Sequence, residues 1–145
     1  MKVAFACDHA GFVLKEAVVA HLKEMGHDVV DFGCCTPERV DYPAQGEKAA
    51  RAVASGECQL GVLICGTGIG ISLAANRVHG IRAAVCSESY SAELTRRHND
   101  ANMIAFGARV VGEGTACAIL DAFFNAKFEG GRHAQRVAML DEIKP

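Results

Sequence analysis

The chain has 145 residues, a net charge of −2 and 50% hydrophobic residues, which fits one domain, predicted to span residues 1–145. Charges of both signs are interspersed, and every apolar run is too short for a signal peptide or a membrane span. The seven cysteines are odd in number, and several lie inside apolar runs, which indicates a reduced, cytoplasmic protein. We therefore expect a small-molecule partner, and neither a nucleic acid nor a membrane.

Short apolar runs alternate with amphipathic segments along the whole chain. The apolar runs predict strands at 3–7, 28–32, 59–65, 81–86 and 103–106. The segments between and after them predict helices at 12–25, 44–54, 68–78, 89–98 and 112–124, with a short extra helix after the double glycine at 130–131. This alternation predicts an α/β fold: a Rossmann-like, three-layer α/β/α sandwich with a five-stranded parallel sheet, plus a C-terminal helix.

Polar residues and glycines follow several of the predicted strands. In open parallel sheets, ligands bind beyond the carboxyl ends of the strands. The segments that follow the first, third, fourth and fifth strands are Asp8 and His9, Cys65–Gly70, Ser87 and Glu88, and Gly107–Arg109. We expect these segments to share one edge of the sheet.

The third strand ends in an unusual loop, Cys65-Gly66-Thr67-Gly68-Ile69-Gly70, which leads into a predicted helix. Exposed backbone N–H groups and the positive end of a helix dipole stabilise negative charge at such a turn. Because a cysteine thiolate is stabilised there, Cys65 is a candidate base or nucleophile. The alternative, that Cys65 is an apolar residue ending a buried strand, remains open at this point.

Three known glycine-loop chemistries fit this sequence poorly. A dinucleotide fingerprint needs a further glycine where Ile71 stands, although Glu88 lies at a suitable spacing for a ribose-binding acid and keeps that hypothesis open. A Walker A loop needs a lysine where Thr67 stands, and a cysteine phosphatase needs an arginine at Ile71. What remains is a thiol beside glycine amides, an arrangement suited to removing a proton next to a carbonyl and stabilising an enediolate.

Four motifs carry a resemblance to a known family. In chain order they are Asp8-His9-Ala10-Gly11, Cys65-Gly66-Thr67-Gly68-Ile69-Gly70, Ala74-Ala75-Asn76 and Arg97-His98-Asn99-Asp100-Ala101-Asn102. With these motifs in this order, the chain resembles the ribose-5-phosphate isomerase B family over essentially its whole length. That family also includes isomerases of allose 6-phosphate and galactose 6-phosphate.

The resemblance implies an aldose–ketose isomerase of the pentose phosphate pathway that uses no metal and no cofactor. It would interconvert D-ribose 5-phosphate and D-ribulose 5-phosphate through a cis-enediolate, after an acid/base group has opened the sugar ring. It also implies a homodimer or homotetramer whose site is shared between subunits. An isomerase of a hexose 6-phosphate, or a non-catalytic module that binds a nucleotide or sugar phosphate, remains an alternative.

The resemblance also implies roles for particular residues. The catalytic positions are Cys65 as the proton-transferring base, with Thr67 and His98 in ring opening. The amides implied to hold the enediolate belong to Gly66, Gly68, Ile69 and Gly70. The positions that contact sugar hydroxyls are Asp8, Tyr42 and Asn99, and those that bind phosphate are His9, Arg109, Arg132 and Arg136. A branch of the family has a glutamate base where Ile71 stands, so Cys65 is the base this pattern supplies.

Some of these roles also have independent physical support. Arg132 and Arg136 are four residues apart, so a helix would direct both guanidinium groups to one face, as a phosphate dianion requires. His98 lies near a predicted helix end, where an imidazole can titrate close to neutral pH. Asp8 and His9 are adjacent and point apart, which argues against a metal site there.

Overall fold

The structure of the protein is a computed structural model that describes residues 1–143, and the last two residues of the predicted domain lie outside the described residues. Residues 1–143 form five strands: β1 (Lys2–Cys7), β2 (Asp28–Asp31), β3 (Leu60–Cys65), β4 (Ala83–Val85) and β5 (Met103–Gly107). The same residues form six helices: α1 (Phe12–Glu24), α2 (Tyr42–Ala54), α3 (Ile69–Ala75), α4 (Ser89–Asn99), α5 (Glu113–Asn125) and α6 (Arg132–Asp141).

The five strands form one parallel sheet in the order β2-β1-β3-β5-β4. From β1 the chain continues outward to β2, whereas from β3 it continues to β4 on the other side of the sheet. The neighbouring strands β1 and β3 therefore send their connections in opposite directions. Their carboxyl ends border the crevice in which sheets of this kind bind ligands.

Alternate residues of each strand point to opposite faces of the sheet and build two apolar cores. Phe5 and Phe106 belong to the core beneath α1, α4 and α5. Ala4 and Ala105 belong to the core beneath α2 and α3, where small side chains let the helices lie close to the sheet. The predicted three-layer α/β/α sandwich is confirmed, and α6 is the additional C-terminal helix.

Several element boundaries differ from the prediction by one to three residues, the largest difference being the end of α3 at Ala75 rather than at residue 78. Two of the differences have clear physical reasons. α2 begins at Tyr42, before the predicted start, because Pro43 occupies the first turn, where its missing N–H has no helical partner. β4 spans only Ala83–Val85 because it is an edge strand that pairs with β5 alone. Just before it, the backbone N–H of Arg82 donates to the Asn102 side chain at 2.8 Å instead of joining a strand ladder.

Within residues 1–143, no helix combines the length and the apolar character that crossing a bilayer requires. All seven cysteines lie in this part of the chain, and all seven are free. Cys7 and Cys34 place their sulfur atoms 3.8 Å apart, which is a contact between thiols and far longer than a disulfide bond of about 2.05 Å.

Candidate active site

The predicted edge of the sheet is formed by the ends of β1, β3 and β5. Cys65 ends β3 and pairs in register with Gly107 at the end of β5. On the other side of β3, the backbone N–H of Asp8 donates to the carbonyl oxygen of Ile64 at 3.2 Å. Asp8, Cys65 and Gly107 therefore lie side by side at the carboxyl edge.

The sulfur of Cys65 contacts the glycine loop. Its Sγ accepts a hydrogen bond from the backbone N–H of Gly68 at 3.1 Å, and α3 begins at the next residue. The side chain is only 4% exposed. A donated N–H at the start of a helix is an environment in which a cysteine sulfur can carry negative charge.

The backbone of the loop is fixed by close contact with the end of β5. Gly68 has a φ of +80°, and a Cβ at this position would lie 2.8 Å from the backbone of Phe106. A Cβ at Gly107 would lie 2.6 Å from the Cα of Thr67. Because both side chains are absent, the loop rests directly on β5, and its amide groups are held in place beside Cys65.

Tyr42 and Arg109 lie against the glycine loop from two sides. A Cβ at Gly70 would lie 2.7 Å from Cζ of Tyr42, so the phenol ring packs directly on the loop. The backbone N–H of Arg109 donates to the carbonyl oxygen of Gly66 at 3.1 Å. The guanidinium of Arg109 also covers Gly66, since a Cβ there would lie 3.2 Å from Nη1.

Asp8 and His9 each have one side-chain atom that contacts the backbone of another residue. Asp8 is 5% exposed, and its Oδ1 accepts the N–H of Gly11 at 2.9 Å. His9 places Nδ1 3.1 Å from the carbonyl oxygen of Val40. These contacts leave Oδ2 of Asp8 and Nε2 of His9 as the atoms with which the two side chains can contact a ligand.

The outer part of the loop borders an open, apolar surface. Thr67 is exposed, and its Oγ1 accepts the N–H of Ile69 at 3.3 Å. The side chains of Ile69 and Leu73 are 54% and 62% exposed. Leu73 also lines a shallow depression of about 370 Å³ together with Tyr42 and Gly70. Apolar surface therefore continues directly from the candidate site.

His98 and Asn99 lie at the opposite edge of the sheet. They are the last two residues of α4, which starts after β4 at the carboxyl edge and leads back to the start of β5. The next residue, Asp100, forms an ion pair of 3.1 Å with Arg82, which precedes β4. One chain therefore does not bring His98 or Asn99 to Cys65.

The two arginines of α6 lie beside the end of α4. Arg132 and Arg136 are exposed and one turn apart on the helix, the arrangement that their spacing predicts. The segment before α6 is tied to α4 because the backbone N–H of Glu129 donates to the carbonyl oxygen of Arg97 at 3.0 Å. These arginines are thus on the same side of the molecule as His98.

A cluster of charged and aromatic side chains surrounds His98, and the sequence pattern assigns no role to its other three members, Arg97, Glu129 and His133. The imidazoles of His98 and His133 stack with centroids 4.2 Å apart and planes 5° from parallel. Each places Nε2 3.6 Å from Oε2 of Glu129. Arg97 binds the other carboxylate oxygen, Oε1, through Nε at 2.7 Å and Nη2 at 2.5 Å. The sequence signal that could have pointed to Glu129 and His133 is that they are four residues apart.

The charges in this cluster follow from its contacts. Hydrogen bonding to Arg97 holds the pKa of Glu129 below its usual value. Burial lowers the pKa of His133, and the positive charges of His98 and Arg132 add to that effect. At neutral pH, Glu129 is therefore a carboxylate and His133 a neutral imidazole.

His98, Glu129 and His133 are residue types that bind metals, and their ligand atoms lie within 4.8 Å of one another. The surroundings, however, are positively charged. Arg97 occupies one oxygen of Glu129, and the charges of Arg132 and Arg136 act on His133. Because like charges repel at these distances, the cluster suits a proton or an anion better than a metal cation.

The positions of Glu88 and Ile71 bear on the dinucleotide-binding and other chemistries weighed from the sequence. Both carboxylate oxygens of Glu88 accept a hydrogen bond from the backbone N–H of Ser91 at 3.0 Å, and Glu88 thereby caps α4. This hydrogen bonding lowers the pKa of Glu88. The carboxylate is thus used within the fold, which weakens the hypothesis of a ribose-binding acid. Ile71 is fully buried in the core beneath α2 and α3.

Two further cysteines, Cys7 and Cys86, end or follow strands at the same edge as Cys65. Burial raises the pKa of Cys7, and its neighbour Cys34 raises it further. Burial also raises the pKa of Cys86, to about 11, with a smaller contribution from Glu88. Both are therefore neutral thiols near pH 7. The sulfur of Cys65 has a different contact, since it accepts a backbone N–H of the glycine loop.

Comparison with known proteins agrees with this geometry. The family model described as Ribose/Galactose Isomerase matches residues 3–140. Ribose-5-phosphate isomerase B of Escherichia coli is 57% identical over 143 residues, which cover 99% of this chain and 96% of the relative. The structure of ribose-5-phosphate isomerase B from Clostridium thermocellum matches with a TM-score of 0.96 and 54% identity, covering 98% of this chain and 96% of that one.

A third match is the structure of ribose-5-phosphate isomerase B from Mycoplasma genitalium with bound ribulose-5-phosphate. It has a TM-score of 0.91 and 37% identity, and covers 97% of this chain and 93% of that one. The matches span nearly the full length of both partners, and they agree with the order of motifs in the sequence. The chain therefore belongs to the ribose/galactose isomerase family.

Proposed function

We propose that this protein interconverts D-ribose 5-phosphate and D-ribulose 5-phosphate. The observation that carries the proposal is the sulfur of Cys65, buried at the carboxyl edge and contacted by the N–H of Gly68 at 3.1 Å. A base beside fixed amide donors is what enolisation of a sugar requires. The identity to the E. coli ribose-5-phosphate isomerase B supports the choice of reaction and of substrate.

The proton transfer follows from the chemistry of an α-hydroxy aldehyde. The thiolate of Cys65 removes the proton from C2 of the open-chain aldose, and the electron pair moves toward the carbonyl oxygen on C1. Within the resulting cis-enediolate, a proton moves from the C2 oxygen to the C1 oxygen. The same base then returns its proton to C1, the C2–O bond becomes the carbonyl, and the ketose is formed. Backbone N–H groups of Gly66, Gly68, Ile69 and Gly70 hold the developing negative charge, in positions fixed before the reaction.

The remaining residues at this edge orient the sugar. Oδ2 of Asp8 and the hydroxyl of Tyr42 contact sugar hydroxyls, and Thr67 assists ring opening. Nε2 of His9 and the guanidinium of Arg109 bind the phosphate. The contact of Nδ1 with Val40 leaves Nε2 of His9 for a ligand, and the guanidinium of Arg109 lies over Gly66 of the loop. A guanidinium can form two parallel hydrogen bonds to a phosphate, which fixes the distance between the phosphate and C1.

The complete site is proposed to form between two subunits of a homodimer. His98 and Asn99 lie at the amino edge of their own chain, together with Arg132 and Arg136. A second copy that covers the exposed apolar side chains beside Cys65 would bring these residues to the sugar. Each dimer then contains two equivalent sites, as its two-fold symmetry requires. A homotetramer would be two such dimers.

Mixing two inactive variants tests the shared site. Cys65→Ser and His98→Asn each remove one group, and a mixed dimer contains one site with both groups intact and one site with neither. Unfolding and refolding equal amounts together should therefore recover about a quarter of wild-type turnover, because about half of the dimers are mixed and each has one working site. Each variant refolded alone is the control. A mixture no more active than its components would contradict a site shared between chains.

A hexose 6-phosphate remains the second candidate substrate, because the matched family includes galactose isomerases. Its extra carbon places the phosphate further from C1, so the distance from Cys65 to the phosphate-binding residues decides between the two sugars. Turnover of ribose 5-phosphate, allose 6-phosphate and galactose 6-phosphate, measured side by side, should be fastest with ribose 5-phosphate. Solvent deuterium should also enter the sugar at C1 or C2. Saturable binding without deuterium incorporation would instead identify a non-catalytic binding module.

We also propose that the chain acts as one domain in the cytoplasm. The seven free cysteines support a reducing compartment, since buried thiols persist there without pairing. The family match from residue 3 to residue 140 supports a single functional unit.

A further inference from the structure

Glu129 is held by several contacts in the cluster around His98. Arg97 donates to its Oε1 from two nitrogens, and the backbone N–H of Glu129 donates to the carbonyl oxygen of Arg97 at 3.0 Å. Arg97 is itself held from the other side by Glu93 at 2.7 Å. The second carboxylate oxygen, Oε2, is consequently directed at the two imidazoles.

The distance from Oε2 to each imidazole is informative. At 3.6 Å from Nε2 of His98 and of His133, the carboxylate is within ion-pair range but outside ordinary hydrogen-bond range. It can therefore stabilise a positive imidazolium without fully engaging its N–H. The Nε2 of His98 keeps its hydrogen-bonding capacity for the substrate.

The stacked ring of His133 limits the protonation of the pair. Two imidazolium ions with centroids 4.2 Å apart would repel each other, so the two rings are not both protonated near neutral pH. The low pKa of His133, caused by burial and by the positive charges of His98, Arg132 and Arg136, agrees with this. The charged groups that face the imidazole pair are thus Arg97 on α4, Glu129 before α6, and the two arginines on α6.

We propose that Glu129 is a positioning residue: with Arg97 and the stacked His133, it orients His98 and maintains one proton on the imidazole pair for opening the sugar ring. This inference rests on ring opening by His98, as proposed above. Opening a furanose requires a proton to be given to the ring oxygen and another to be taken from the C1 hydroxyl. An imidazole pair with a single proton can do either.

The substrate itself allows ring opening to be separated from proton transfer. Ribose 5-phosphate closes into a furanose, whereas ribulose 5-phosphate carries phosphate on the C5 oxygen it would need for a five-membered ring. Ribulose 5-phosphate therefore reaches the enediolate without ring opening. Incorporation of solvent deuterium at its C1 measures proton transfer alone, and turnover of ribose 5-phosphate measures both steps.

Glu129→Gln, which removes the charge with almost no change in shape, tests the proposal. The kcat for ribose 5-phosphate should fall by about 10- to 100-fold, a loss typical of removing the group that orients a functional imidazole. Deuterium incorporation into ribulose 5-phosphate should stay within about twofold of wild type, since that reaction omits ring opening. The pH limb of ribose 5-phosphate turnover that reports the histidine pair should move to lower pH, because an anion that favours protonation is lost.

Glu47→Gln is the matched control, because Glu47 also pairs with an arginine on its own helix, Arg51 at 2.8 Å, but lies on α2 and outside the cluster around His98. It should leave both rates and the pH limb near wild type. Glu129→Asp retains the charge and should keep the pH limb while lowering kcat. Equal losses of turnover and deuterium incorporation in Glu129→Gln, or no change in either, would overturn the positioning role. If the wild type itself incorporates no deuterium, the proposed function fails instead.

Discussion

Cys65→Ser should lower the kcat for ribose 5-phosphate by at least about 10³-fold, because a serine hydroxyl does not ionise near neutral pH and cannot act as the base. The substitution changes little else. Serine is nearly the same size, and its oxygen can accept the N–H that Gly68 donates to the sulfur. The variant should therefore fold normally and still bind a sugar phosphate, as judged by its thermal unfolding and by equilibrium binding.

A second measurement tests the proposed proton-transfer role of Cys65 independently. Deuterium incorporation into ribulose 5-phosphate should disappear together with turnover, since both pass through the same enediolate. Cys86→Ser is the matched control, because Cys86 is also buried at the carboxyl edge and has no proposed role. It should retain turnover within about threefold. Substantial turnover in Cys65→Ser would remove this residue from its role.

His98→Asn should separate the two steps of the reaction. Turnover of ribose 5-phosphate should fall by about 10²- to 10³-fold, the usual contribution of one acid/base group, because asparagine cannot exchange a proton with the ring oxygen. Deuterium incorporation into ribulose 5-phosphate should be retained, because that substrate has no ring to open. Both quantities can be followed in the same sample by NMR.

The surface residue His79 provides the control for this substitution. His79→Asn alters a histidine that is exposed and has no proposed role, so both rates should stay near wild type. Equal losses of turnover and deuterium incorporation in His98→Asn would contradict its assignment to ring opening. Together with Cys65→Ser, which should lose both, this variant should assign the two steps of the reaction to two different residues.

The fold class and the family could be predicted from the sequence because their signals are local. Each strand is a contiguous apolar run, and the loop from Cys65 to Gly70 is one continuous segment in which Gly68 donates its N–H to a sulfur only three residues away. Comparison with known proteins confirms the family that the order of motifs indicates. The strand order has no such local signal in the sequence. The position of β5 between β3 and β4 depends on packing between distant segments.

The cluster around His98 shows why part of the candidate site escapes prediction. Glu129 lies between two helices, and it contacts Arg97 only because α6 folds back onto α4. His133 faces inward on a short helix that has as many polar as apolar residues, so the sequence pattern does not distinguish it from the exposed polar residues. Contacts that join segments more than thirty residues apart carry no local signal, and they appear only when the tertiary structure is known.

The central position of β3, between β1 and β5, has a consequence for how the site loses order. Backbone hydrogen bonds on both sides of a central strand break only when the whole sheet opens, whereas a terminal helix can detach at a lower free energy. The proposed base is thus anchored in the most cooperative part of the molecule. The proposed ring-opening histidine depends instead on α6, at the periphery. Mild destabilisation should therefore impair ring opening before it affects proton transfer.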